Sequence, residues 1–267
     1  MSERLEPHRI SGIPKEFRFS SDFIGPREMR GIYELLKGPD LPKKLTKIMS
    51  YFWEISGQRI GKKYKVDKFP STVEDIREKN EKEGRIPIFV PHEINLIDLG
   101  RIFTFLGSRY ARSKVVAALG SKYIAEGSPV IDTVNNFGWL WVEGSNLAPN
   151  RGASPKELED MFRMQGRQGQ SLRTYIVGGL IRKFFMGDFF DTQPIFEERG
   201  SRKTSSMLLG SSIEGRFIHA EFSTFSVDRA LLMFPIGGLY SNRDVGGRSE
   251  EVILPPHSKT WLAHLFR

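Results

Sequence analysis

The chain has no cysteine in its 267 residues. Disulfides, thiolate zinc sites and cysteine nucleophiles are therefore excluded, and a reducing compartment is the expected setting. No run reaches the roughly 18 apolar residues of a membrane-spanning helix. The opening residues, Met1-Ser2-Glu3-Arg4-Leu5-Glu6, lack the apolar stretch of a secretory signal. Repeats and low-complexity tracts are absent too. The expectation is a cytoplasmic globular protein, with peripheral attachment as the one membrane role left open.

Cations are what the chain has in excess. Forty Lys and Arg stand against 32 Asp and Glu, a formal charge of +8, so a negatively charged partner is expected. Nucleic acid, an anionic membrane surface and phosphorylated small molecules all meet that description. Twenty Phe and four Trp supply bulky core material.

Residues 1–30 carry Gly12, Pro14, Gly25 and Pro26, which break any periodicity. From Asp40, a candidate N-cap followed by Pro42, apolar residues recur at helical spacing: Leu41, Leu45, Ile48, Met49, Phe52 and Ile55. Lys43, Lys44 and Lys47 fall outside that stripe. Such a helix either packs on a core with a solvated basic face or lies on a bilayer surface. A basic run, Arg59 to Lys68, follows. Residues 71–84 read as a helix ending at Gly84. This organisation gives an N-terminal helical and irregular lead-in over 1–84 and an α/β catalytic domain over 85–267.

In that domain strands and helices alternate. Ile86–Val90, Val115–Leu119, Phe137–Val142, Gln193–Phe196 and part of Ala230–Tyr240 read as strands. Leu96–Leu106 and Leu172–Phe185 read as helices. A third helix begins at Ser154-Pro155-Lys156-Glu157, which has capping-box spacing. Alternation predicts a mainly parallel sheet covered by helices on both faces, with a site beyond the carboxyl ends of its strands.

Three segments carry candidate chemistry. His92 directly follows the Ile86–Val90 strand, and Asp98 in the next helix would hold its imidazole in one tautomer, making a general base. Glu198-Arg199-Gly200-Ser201-Arg202-Lys203 follows another strand; its amides, hydroxyl and cations suit a phosphate. Leu231–Tyr240 is a strand running through Pro235 into a glycine pair.

Taken in order, these segments resemble the glycerolipid acyltransferases, the glycerol-3-phosphate and 1-acylglycerol-3-phosphate enzymes. Arg85–Asp98 is similar to the first block of that family, Phe196–Thr204 to the third and Phe234–Tyr240 to the fourth. Five residues separate His92 from Asp98, one more than the family has, and Arg199 stands at its glycine position. The resemblance implies acyl transfer from an acyl thioester, acyl-CoA or acyl carrier protein, to a hydroxyl of a phosphorylated glycerol in phospholipid biosynthesis. His92 would be the base, Asp98 its orienting group, and Glu198, Arg199, Gly200, Ser201, Arg202, Lys203 and Pro235 the phosphate and substrate contacts. It implies no cofactor, no metal and no nucleic acid. The lipid product points to an anionic membrane surface, which the Leu41–Ile55 helix and the Phe-rich segment Leu180–Phe190 would engage.

Two alternatives stand beside it. Phe222-Ser223-Thr224-Phe225-Ser226 and Glu250-Glu251-Val252-Ile253-Leu254-Pro255-Pro256 resemble the Ser-Thr-Ser and catalytic-Glu segments of ADP-ribosyltransferases, with Arg173 as the dinucleotide arginine; 28 positions separate Ser223 from Glu251. The other is a non-enzymatic basic protein that binds nucleic acid or coats a membrane.

Overall fold

The computed structural model describes residues 40–107, 130–186, 189–191, 194–197, 200–222 and 231–254. The strand candidate Val115–Leu119 lies outside them. The local signals are obeyed. Helix α1 (Leu41–Ile60) buries Leu41, Leu45, Ile48, Met49, Phe52 and Trp53 and leaves Lys43, Lys44 and Lys47 exposed. Helix α2 (Val73–Glu83) is opened by Thr72 and closed at Gly84. Strand β1 (Arg85–Val90) leads through Pro91 and His92 to helix α3 (Leu96–Gly107).

Two short segments follow, β2 (Ile131–Asp132) and then β3 (Gly138–Glu143). Ser154 and Glu157 form the expected reciprocal cap on helix α4 (Pro155–Met164). After β4 (Gln168–Gly169) comes helix α5 (Leu172–Met186). Strands β5 (Pro194–Glu197) and β6 (Gly200–Lys203) pair as a hairpin. Next come β7 (Ser205–Ile213), β8 (Arg216–Phe222), β9 (Leu231–Ile236), β10 (Val245–Gly247) and β11 (Ser249–Val252).

The sheets correct the expected fold class. One has the order β1-β3-β11-β4, with every pairing antiparallel. The other runs β10-β7-β8-β9, with β2 also on β7. Its pairings are antiparallel except for the three-residue contact of β10 with β7. A mainly parallel sheet is therefore not what forms. The unbroken apolar run of β1 suggested one, because strands covered on both faces read that way. Among the described residues β1 lies at the edge of its sheet, covered by its surroundings. Trp53 of α1 donates to the Phe89 carbonyl at 2.9 Å, and Pro87 has no N–H to leave unpaired.

One large core joins α1, Ile76 of α2, α3 and α5 to both sheets. The boundary expected at 84/85 falls between α2 and β1 and does not divide that core. A smaller one lies where Leu158 and Phe162 of α4 meet Met207, Leu209, Ile236 and Val245. The sheets touch where β4 crosses β7. A Cβ on Gly169 would stand 2.4 Å from the Leu209 Cβ, and one on Gly210 would stand 2.4 Å from the Gly169 carbonyl oxygen. Only glycine fits that approach.

Residues expected at a bilayer are inside. Phe52, Trp53, Leu180, Ile181, Phe184, Phe189 and Phe190 are all buried, and Phe52 and Phe184 meet edge to face at 5.4 Å. Among the described residues no helix is long and apolar enough to cross a membrane.

Candidate functional site

His92 is exposed just after β1, and its ring stacks on Phe137 at 5.1 Å. Asp98 is buried and turned elsewhere. Asn95 accepts the Asp98 N–H at 2.8 Å, which caps α3. The Asp98 carboxylate then takes Lys62 Nζ at 2.6 Å, with Arg101 at 3.9 Å. No hydrogen bond among the described residues joins His92 to Asp98.

Gly200, Ser201, Arg202 and Lys203 form β6, not a loop; Glu198 and Arg199 lie outside the described residues. Pro235 sits in β9 opposite Ile218, in a different sheet from the strand that leads to His92.

Three neighbourhoods gather polar side chains. The first surrounds Glu250 of β11, which is fully buried. Its carboxylate accepts from Asn136 Nδ2 at 2.9 Å and from the Ser171 N–H at 3.0 Å. Burial pushes its carboxyl up to about 7, and the like charge of Asp132 acts in the same direction. Burial also raises Asp132, against the Ser211 hydroxyl and the Arg173 guanidinium that bind it. Arg173 lies 3.2 Å from Asp132 and 4.7 Å from the Phe137 ring centre. The next strand residue, Glu251, projects to the other face and pairs with Lys79 and Arg85. Of the segments resembling ADP-ribosyltransferases, Arg173 pairs with Asp132, whose charge acts on Glu250, whereas Glu251 is held by Lys79 and Arg85. Residues 223–226 lie outside the described residues.

The second neighbourhood is a buried ion pair. Asp191 and Arg248 meet at 3.0 Å with neither side chain exposed. Asp191 also accepts from Tyr175, Ser206 and Thr204 at 2.7, 2.6 and 3.0 Å. Arg248 donates to Ser206 Oγ and to the carbonyls of Ser145 and Asn146. Its guanidinium lies 4.4 Å from the Phe190 ring centre. All its donors have acceptors, as a buried charge requires.

The third neighbourhood follows from the second by strand alternation. Thr204 and Ser206 both donate to Asp191, so Ser205 between them faces the other side of β7. Opposite Met207 on β8 stands His219, which is diagonal to Ser205 and within reach. His219 Nε2 and Ser205 Oγ are 2.5 Å apart. Burial lowers the His219 pKa, although the charge of Asp191 opposes this. A neutral imidazole bonded to a hydroxyl is a base beside a nucleophile.

The backbone of buried Ser205 borders an open cleft of 680 Å³ lined by Ser145, Leu147–Arg151, Arg243 and Asp244, a lining that includes neither Ser205 nor His219. The Ser205 N–H donates to the Asp244 carbonyl at 3.1 Å, and the neighbouring Thr204 hydroxyl accepts the Ala148 N–H at 3.0 Å. The sequence held one usable signal for this pair: the alternation of β8, where Phe217, His219 and Glu221 share the less buried face. The serine run Ser205-Ser206 carried no motif. Among the described residues no group of His, Asp and Glu is arranged to hold a metal ion. No family model, no curated protein and no solved structure matches the chain.

Proposed function

We propose that the chain is an acyl-transfer enzyme working through Ser205 and His219. The observation that carries this reading is the 2.5 Å approach of Ser205 Oγ to His219 Nε2. Ser205 Oγ attacks the acyl carbon of a thioester while His219 Nε2 takes its proton. The carbon–sulfur bond breaks, and the thiolate leaves with that proton. The acyl group rests on Ser205 as an ester. His219 then deprotonates an acceptor hydroxyl, which attacks the ester and frees Ser205. The acyl donor is the one that the resemblance implies. The catalytic pair differs, because Lys62 and not His92 holds the Asp98 carboxylate.

A fluorophosphonate tests the pair directly. Oγ forms a bond to phosphorus, fluoride leaves, and His219 takes the proton. Intact-mass and peptide analysis should find one adduct, on Ser205, absent from folded Ser205→Ala. A folded wild-type protein that gains no adduct at Ser205 overturns the reading.

A second reading, glycosyl transfer of the ADP-ribosyl type, has one observation in its favour. Asp132 pairs with Arg173 and acts by its charge on Glu250, whose carboxyl is raised to about 7, a suitable range for acid–base work. Release of nicotinamide from nicotinamide-adenine dinucleotide, lost in Glu250→Gln, would favour it over acyl transfer.

A further inference from the structure

We infer that the cleft between the Leu147–Arg151 loop and the Arg243–Asp244 turn is a binding site for a phosphate-bearing small molecule, held by Arg151 and Arg243. Both arginines line it. Arg151 is exposed and has no ion pair or hydrogen bond among the described residues. Arg243 is 64% exposed, and its one carboxylate neighbour among the described residues, Asp244, stands 4.0 Å away. Two guanidiniums against one carboxylate leave the cleft cationic. The guanidinium's planar fork matches phosphate oxygens two at a time. Among the described residues no other charged side chain lines the cleft.

The walls are fixed before any ligand arrives. The Gly152 N–H donates to the Val245 carbonyl at 3.0 Å, and the Ser241 hydroxyl to the Gly152 carbonyl at 2.7 Å. Asn150 Nδ2 reaches the Gly247 carbonyl at 3.3 Å. The backbones of the two walls touch, since a Cβ on Gly246 would lie 2.0 Å from the Pro149 carbonyl oxygen. Arginines on tied walls lose less freedom on binding than arginines on loose loops. The cleft is open and polar, which suits a hydrated anion better than an acyl chain. The further step, that this anion is the acyl acceptor, rests on the Ser205–His219 reading and on the bond of the Ser205 N–H to the carbonyl of Asp244, a cleft residue. Binding itself does not rest on it.

Titration calorimetry of the whole chain with inorganic pyrophosphate tests the site. Arg216, an exposed cation at the β7–β8 turn, supplies the control. We expect saturable one-to-one binding to the wild type. Arg151→Ala and Arg243→Ala should each weaken it by about tenfold or more, and Arg216→Ala should leave it unchanged. Absence of saturable binding, unchanged affinity in both cleft variants, or an equal loss in Arg216→Ala would each overturn the assignment. Fluorophosphonate labelling of Ser205, read without pyrophosphate, separates the two claims. Labelling without binding removes the cleft assignment alone, and binding without labelling removes the reaction alone. Where both hold, saturating pyrophosphate should slow the labelling.

Discussion

Asp191 and Arg248 form an ion pair at 3.0 Å with no side-chain exposure on either partner. Arg248 stands between β10 and β11, so it belongs to the stretch that passes from one sheet to the other. Asp191 binds Ser206 of the strand that carries Ser205 and Thr204 just before it. The pair therefore holds both the junction of the sheets and the strand bearing the candidate nucleophile.

Asp191→Asn should be strongly destabilising. The backbone there has φ 57°, which asparagine tolerates, so the change isolates the charge. It leaves a buried guanidinium uncompensated, at a cost of about 3–5 kcal/mol. Urea unfolding should show the loss in midpoint, whereas exposed Lys43→Ala should stay within about 0.5 kcal/mol of wild type.

Glu250 should make the fold less stable as pH rises. Its carboxyl moves from 4.5 to about 7 on folding, so between those values the folded state binds the extra proton. The stabilisation is complete below 4.5 and is lost as pH rises through about 7, by roughly 3 kcal/mol. Buried Asp132, also raised, adds in the same direction. Unfolding free energies from pH 4.5 to 8 should show a flatter profile for Glu250→Gln. An unchanged slope would mean that Glu250 does not titrate as described.

Ser205→Ala should abolish acylation of the chain. His219→Gln should slow it by roughly 10²–10⁴-fold, the usual worth of a general base. Because burial lowers the His219 pKa, the acid limb of the rate profile should fall below pH 6.5. The same shift acts on stability: the contribution is full above the ordinary histidine value and shrinks as pH drops below it. A limb above 6.5 would point to another base.

Gly210→Ala should loosen the contact between the sheets. Its new methyl would meet the Gly169 carbonyl oxygen at 2.4 Å, and backbone cannot rotate aside. A loss of about 1–3 kcal/mol is expected, visible as a lower melting temperature. Exposed Gly238, where a Cβ meets nothing within 4 Å, is the matched control.

The residues of the local elements were enough to place them. Thr72 and Asp75 cap α2, Ser154 and Glu157 cap α4, and the stripe from Leu41 to Phe52 buries one face of α1. Those interactions span three or four residues, so the sequence states them directly. Strand direction is different. Ile86 to Val90 would present the same side chains to a parallel or an antiparallel neighbour, and the choice came from pairing with β3, 48 to 56 residues away. The strand β7 was missed because serines rarely signal burial. Its serines are inside because Asp191, His219 and Asp132 receive them.

The sequence by itself determined a cationic chain without cysteine chemistry, with the positions of most helices. Only the tertiary structure decided which polar residues meet. His92 and Asp98 are near in sequence, yet helix capping turned Asp98 toward Lys62. Ser205 and His219 are 14 positions apart, yet one hairpin register set them in contact. Side-chain chemistry is fixed residue by residue, but a site needs several groups within about 3 Å, and only the fold sets such distances.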